Sequence, residues 1–232
     1  MSQKSQIIVD AIRQGRTTLT EIESKQVFGE IGIKVVETKL ATSRKQAAAI
    51  GAGIGFPVVL KIASPDIIHK SDAGGVKVGL KNKTEVARAY GEIIAAARRK
   101  FSGAKIEGVA VQAQARPGIE LIIGMFKDAQ FGPVIMFGLG GIFVEVLKDV
   151  SFRIVPIERR DAAEMIKEIK GYALLEGYRG QEPANLPSLE NILMKISALA
   201  EKTPEIKEID INPVFAYKDS AVAADARIVL EG

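Results

Sequence analysis

The chain has 232 residues, 47% of them hydrophobic and 26% charged, with a net charge of +4, one histidine and no cysteine. That length buries a core as one large domain or two small ones, and the missing cysteine excludes disulfides, thiolate metal sites and cysteine nucleophiles. A multi-histidine zinc site is excluded as well, so any metal must be a hard cation held by oxygen, Mg²⁺ or a relative.

Residues 4–14 form a short amphipathic stretch, and Thr20-Glu21-Ile22-Glu23 fits a capping box opening a helix to about Ile31. Gly32 ends it, and 35–38 reads as a strand. Residues 43–53 form an alanine-rich helix stopped by Gly53-Ile54-Gly55-Phe56-Pro57, and 58–62 an apolar, β-branched strand. Residues 76–80 alternate apolar and polar with period two, as a half-buried strand does. Thr84 caps a helix to about Lys100, 109–114 is a further strand, and Arg116-Pro117-Gly118 is a turn. Residues 119–126 and 133–137 read as paired strands joined at Lys127-Asp128, and 161–169 and 188–202 as helices. The last strands are 206–211 and 221–230, with a proline turn at Asn212-Pro213 between them.

Strand and helix do not alternate strictly, so hairpins within α+β layers are expected rather than one doubly wound parallel sheet. A boundary near 103–108 divides the chain into two lobes, and a cleft between lobes is the natural place for a nucleotide. The basic clusters Arg98-Arg99-Lys100 and Arg159-Arg160 are short and free of interleaved aromatics. The first closes a helix, where the dipole favours positive charge, so no nucleic-acid partner is expected. The longest apolar stretch, 47–60, is broken by three glycines and a proline and falls short of the roughly 20 residues that cross a bilayer. Nor do the first residues carry a signal-peptide apolar region, so the expectation is a cytoplasmic protein without membrane contact.

His69, the only histidine, lies between a strand containing Lys61 and the glycine turn Asp72-Ala73-Gly74-Gly75-Val76-Lys77. A neutral imidazole attacks phosphorus to form a covalent intermediate, and a Gly-Gly turn offers bare amides suited to phosphate oxygens. Lys61 either surfaces as its strand exits or projects a cation to neutralise phosphate. Gln112 to Ala115 is either plain edge strand or a connector whose backbone meets an adenine edge. Glu120, alone among apolar residues in Ile119-Glu120-Leu121-Ile122-Ile123, must face solvent or a partner. Asp210 and Asn212, with Asp225 a hairpin later, either converge on one Mg²⁺ or sit as solvated strand ends. There is no P-loop motif, and Gly138-Leu139-Gly140-Gly141-Ile142-Phe143 has Phe143 where a dinucleotide fingerprint needs its third glycine.

Taken together, these segments resemble the ATP-grasp (beta) subunit of ADP-forming acyl-CoA synthetases, the acetate–CoA ligases, relatives of the succinyl-CoA synthetase beta subunit. The resemblance rests on 57–61, Ser64-Pro65-Asp66-Ile67-Ile68-His69-Lys70-Ser71-Asp72-Ala73-Gly74-Gly75-Val76 and Gly118-Ile119-Glu120-Leu121-Ile122-Ile123-Gly124. Phe131-Gly132-Pro133-Val134, 138–145, Gly177-Tyr178-Arg179-Gly180 and 208–213 extend it across nearly the whole chain.

It implies an α+β ATP-grasp fold holding ATP or ADP with Mg²⁺ between two lobes, here 20–106 and 107–232, behind an N-terminal helical segment, 1–19. Lys61, Gly74, Gly75, Val76, Gln112, Ala113, Gln114, Ala115 and Glu120 then bind nucleotide, Asp210, Asn212 and Asp225 bind Mg²⁺, and His69 is phosphorylated. The implied reaction is acyl-CoA + ADP + phosphate ⇌ carboxylic acid + ATP + CoA. A separate alpha subunit, in an α2β2 assembly, supplies the CoA and acyl-phosphate site. Arg153 is a candidate for steadying the travelling phosphate, or else a solvated strand arginine. The rival readings are an ATP-grasp carboxylate–amine ligase, which needs no phosphohistidine, and a nucleotide-binding regulatory module without catalysis.

Overall fold

A computed structural model of the chain describes residues 4–67, 70, 74–141, 149–178, 180 and 182–232. His69, the candidate phosphoryl carrier, lies outside the described residues. The chain separates into two compact units. The smaller holds residues Thr20–Ile22 and Val36–Arg116; the larger holds the chain up to Leu19, Glu23–Val35 and Pro117–Gly232.

In the smaller unit, β1 (Thr38–Ala41), β2 (Val58–Ala63), β3 (Val76–Leu80) and β4 (Gly108–Ala113) form one antiparallel sheet in the order β1-β4-β2-β3. The helices are α3 (Arg44–Ile54) and α4 (Lys83–Lys100), numbered after α1 and α2 of the chain's N-terminal part, given below. Each starts on a side-chain cap: Ser43 Oγ accepts from Gln46 N, and Asn82 Oδ1 from Glu85 N. Asn82, not Thr84, opens α4, because its amide oxygen reaches the free N–H three residues on.

Along β2 the side chains of Val58, Leu60 and Ile62 join Val109 and Val111 of β4 and Val86, Ala89, Ile93 and Ala97 of α4 in one core. By alternation Val59 and Lys61 lie on the opposite face, beside their register partners Gln112 and Ala110. Strand β4 is thus central to this sheet, and the division falls at Arg116/Pro117 instead of near residue 107.

In the larger unit, α1 (Gln6–Arg13) and most of α2 (Glu21–Glu30) bury Ile8, Ala11, Val27 and Phe28 in the main core. The segment before residue 20 is therefore part of this unit and not a separate piece. Its sheet runs β10-β8-β5-β6-β7, with β9 also pairing β8; each of these strand pairs is antiparallel. The strands are β5 (Ile119–Asp128), β6 (Gly132–Leu139), β7 (Val150–Ile154), β8 (Ile206–Ala216), β9 (Ala221–Ala223) and β10 (Arg227–Leu230). Its further helices among the described residues are α5 (Arg159–Glu168), α6 (Tyr172–Leu175) and α7 (Leu186–Lys202). The core takes Leu121, Ile123 and Met125 of β5, Ile135 and Phe137 of β6, and Ile192, Leu193 and Ile196 of α7. The opposite sheet face therefore carries Gly124, Met136, Phe152, Glu208, Asp210 and Arg227.

One expected turn is absent. Strand β8 continues through Asn212-Pro213 to Ala216, and the chain reverses between Ala216 and Ala221. The proline's missing donor is accommodated by a register shift opposite Leu121/Ile123 of β5. Among the described residues, no helix is long and apolar enough to cross a membrane.

Candidate functional site

Lys61 is the most informative side chain of the smaller unit. Its alternation partners go into the core while it points to the other face, yet the residue is only 7% exposed. A buried ammonium needs a counter-charge. Glu21, the first residue of α2, supplies it: Lys61 Nζ donates to Glu21 Oε1 at 2.9 Å, and Lys70 Nζ donates to Oε2. The Glu21 side chain is 5% exposed. Lys61 thus does not surface at a strand exit; it is a fixed, paired cation inside a sheet face. Lys70, bonded directly to His69, shares the same carboxylate.

Gly74 and Gly75 are the described glycines of this segment. Gly75 N donates to Lys70 O at 2.9 Å, and Gly75 O accepts from Ile62 N at 2.7 Å. A Cβ on Gly75 would stand 2.6 Å from Ile62 Cγ2, so only glycine fits this close to β2. Gly74 takes φ +63°, a left-handed conformation that glycine enters without strain. The Gly75 amide is therefore already engaged and is not a bare donor here. Val76 pairs with Lys61 across β3 and β2, which places the loop's end beside the buried lysine.

Gln112 is 3% exposed and shares the Lys61 face. Ala113 N donates to Glu37 O and Gln114 N to Pro57 O, both at 3.1 Å, while Gln114 Oε1 accepts from Gly79 N at 2.9 Å. Those groups are spoken for within the unit. Ala115 follows directly after the sheet.

In the larger unit, Glu120, the second residue of β5, is exposed. Its carbonyl accepts from Gly140 N at 2.7 Å, and a Cβ on Gly141 would lie 3.1 Å from Glu120 Oε2. The glycines of the 138–141 run are thus explained by close backbone packing: a Cβ on Gly138 would lie 2.6 Å from Asp149 O. No dinucleotide fingerprint is needed to account for them.

Asp210 faces Arg227 across β8 and β10, and Gly124 across β8 and β5. Arg227 hydrogen-bonds Glu208 and lies 3.8 Å from Asp210 Oδ2. Burial pushes the Asp210 carboxyl above its ordinary value; Arg227 opposes this, and Glu208 and Asp225 raise it further. Asp225 Oδ1 accepts from Ala226 N at 2.9 Å, and Asn212 is exposed on β8. Asp210 feels the charge of Asp225, and these two carboxylates with the Asn212 amide offer oxygen donors, the type that Mg²⁺ takes. Glu208 and Arg227 escaped the sequence reading. Period-two spacing from Asp210 does place Glu208 on its face, but Arg227 enters only through strand pairing.

Arg153 is not available to a travelling phosphate. It hydrogen-bonds Glu168 of α5 through Nη1 at 2.8 Å and again through Nη2, with Glu164 at 3.8 Å. These bonds raise its pKa further above the ordinary guanidinium value.

A family profile for the ATP-grasp domain matches residues 10–230. The chain belongs to the ATP-grasp family. Within it, the chain is 50% identical over 227 residues to the beta subunit of acetate–CoA ligase (ADP-forming) I from Pyrococcus furiosus, with 98% of both chains covered. Among solved ATP-grasp structures it matches dinucleotide-forming acetyl-coenzyme A synthetase 1 of Ca. Korarchaeum cryptofilum, in complex with coenzyme A, Ca-AMPCP and HgCl⁺. That match has a TM-score of 0.95 at 48% identity, covering 97% of this chain and 98% of the other. A second structure of that protein, with coenzyme A and Mg-AMPPCP, has its phosphohistidine segment pointing towards the nucleotide-binding site. It matches with a TM-score of 0.86 at 44% identity, over 97% and 98% of the chains. The expected α+β ATP-grasp fold and the resemblance to acetate–CoA ligase beta subunits are both borne out.

Proposed function

We propose that this chain is the nucleotide-handling subunit of an ADP-forming acetate–CoA ligase and that His69 carries the phosphoryl group between an alpha subunit and ADP. One observation carries the proposal most directly. The buried cation suited to nucleotide phosphates, Lys61, and Lys70, the residue next to His69, are held by one carboxylate.

The chemistry runs in two displacements. A His69 ring nitrogen attacks the phosphorus of a phosphoryl group delivered by the alpha subunit, forming an N–P bond as the bond to the donor breaks. A terminal oxygen of ADP then attacks the same phosphorus, the N–P bond breaks, and ATP forms. Neither step needs more than in-line placement and neutralised charge. Lys61 supplies positive charge toward the phosphates; Gln112 to Ala115 and Glu120 contribute to nucleotide binding. Asp210, Asn212 and Asp225 would hold Mg²⁺, which when bound offsets charge on the β- and γ-phosphate oxygens. The acyl and CoA chemistry belongs to the alpha subunit, in an α2β2 assembly.

The test is incubation of the purified protein, with its alpha subunit, with Mg²⁺ and γ-labelled ATP, beside His69→Ala. Label that is acid-labile, base-stable and absent from the variant is the expected result. Full turnover in His69→Ala would overturn the relay and favour a ligase without phosphohistidine. Nucleotide binding with no exchange in any form would favour a regulatory module.

A further inference from the structure

Strands β8 and β10 of the larger unit put Arg227 directly opposite Asp210, and Val229 opposite Glu208. Directly opposite side chains start about 5 Å apart at Cβ, and diagonal ones about 7–8 Å. Asp210 is thus the nearer carboxylate for Arg227. The guanidinium nevertheless donates through Nη2 to Glu208 Oε1 and stands 3.8 Å from Asp210 Oδ2. At that distance the second contact is an ion pair without a hydrogen bond. Arg227 is drawn along the diagonal, away from the residue it faces.

That displacement bears on what Asp210 can bind. Across β5 its register partner is Gly124, which has no side chain to reach it, whereas across β10 it is Arg227. A guanidinium hydrogen-bonded to Asp210 would compete with a metal ion for the same carboxylate lone pairs and set a positive charge beside them. Glu208 is flanked on β5 by Phe126, whose ring offers its carboxylate no hydrogen-bond donor. With side chains 36% and 39% exposed, the Arg227–Glu208 pair adds little to stability. Its consequence is where it puts the charge.

We infer that Glu208 is a positioning residue for the metal site: by holding Arg227 it keeps the guanidinium off Asp210 and leaves that carboxylate to Mg²⁺. The inference rests on the metal site proposed above. Glu208 touches neither metal nor nucleotide in this role; it acts through Arg227.

The experiment uses the full chain saturated with ADP, as wild type, Glu208→Ala, Arg227→Gln, the double variant and Asp210→Asn. Mn²⁺ stands in for Mg²⁺, and its binding is read from the enhanced relaxation of water protons around the bound ion, without turnover. All three side chains are more than a third exposed, so the variants keep the fold. Glu208→Ala should weaken Mn²⁺ binding about tenfold, because Arg227 then closes onto Asp210. Arg227→Gln should bind Mn²⁺ at least as tightly as wild type. In that background, losing Glu208 should matter less than about threefold, since no guanidinium remains to be steered. Unchanged affinity in Glu208→Ala would overturn the inference. So would a tenfold loss in both backgrounds, because Glu208 would then act on the ion directly, by its own charge or as a ligand. Failure of the metal-site reading is separate: Asp210→Asn would then bind Mn²⁺ like wild type, and the inference would fall with it. Weaker binding in Asp210→Asn beside unchanged binding in Glu208→Ala strikes the inference alone.

Discussion

On the smaller sheet, Lys61 and Glu21 meet with side chains 9% and 5% exposed, and Lys70 joins them at 21%. On the larger sheet, Arg227, Glu208 and Asp210 meet with side chains 36%, 39% and 36% exposed. The first group sets lysines against a carboxylate with little exposure to water; the second, with Asp225, holds several carboxylates and is half-open to water. Phosphate oxygens reward fixed cations whose solvation has already been surrendered, because the charges then need no reorganisation when the ligand arrives. Mg²⁺ gives up its water reluctantly and keeps several ligands of its own, so its site gains from staying wet and loosely furnished. The two faces thus differ in the chemistry that each was proposed above to serve: phosphate on the smaller sheet and Mg²⁺ on the larger.

Lys61→Met tests the dry face and should have the largest effect. Glu21 keeps Lys70 as a counter-ion, so the fold should survive while the cation proposed to meet phosphate disappears. The affinity for ADP should fall about 30- to 100-fold, the equivalent of a charged hydrogen bond worth about 2–3 kcal/mol. Calorimetric titration of the variant measures this. A loss under about threefold would mean that Lys61 is structural and that the contrast between the faces is misdrawn.

Asp210→Asn tests the wet face, with a smaller effect of opposite character. About tenfold more Mg²⁺ should be needed for half-maximal turnover, since one of two carboxylates is gone while Asp225 and the Asn212 amide remain. The unliganded protein should become slightly more stable. Asp210 has its folded pKa raised above 3.8, chiefly by burial, so the wild-type chain loses stability as pH rises through that interval and lacks it at neutral pH. The variant escapes that loss, and its Tm at pH 7 should rise by about 1–2 °C. A fall in Tm would indicate that Asp210 is needed by Arg227 as a structural partner.

Much of this contrast is legible in the sequence, and its gaps have physical causes. Period-two alternation along Val58-Val59-Leu60-Lys61-Ile62 already sets Lys61 apart from the core face, and the same reasoning puts Asp210 and Asn212 together on β8. Glu21 was hidden because its local context, Thr20-Glu21-Ile22-Glu23, satisfies a capping pattern completely. Its pairing with Lys61 spans 40 residues and depends on where α2 starts relative to β2. Asn212-Pro213 misled for the converse reason: proline's lost donor signals a turn locally, whereas the register shift against β5 absorbs it within a continuous strand. The N-terminal helix was recognisable as amphipathic, but two buried side chains, Ile8 and Ala11, carry no address for the core they join.

Arg153 supplies the comparison's outer boundary and the smallest effect. It too is a charged strand residue bonded to a carboxylate, but it lies on the α5-facing side of β7 and Glu168 is 48% exposed. Its hydrogen bond holds the Glu168 carboxyl below its ordinary 4.5. A depressed carboxylate contributes stability that is present above pH 4.5 and fades as pH falls through the lower folded value. Because water screens the pair, Arg153→Gln should cost under about 1 kcal/mol at neutral pH. Its denaturation curves should show a shallower loss of stability below pH 4.5 than those of wild type, while ADP affinity and phosphoryl exchange stay as they were. If exchange instead slowed tenfold, a solvated ion pair outside both faces would matter to the chemistry. Charge placement on the two sheets would then not be what separates functional from structural ions in this chain.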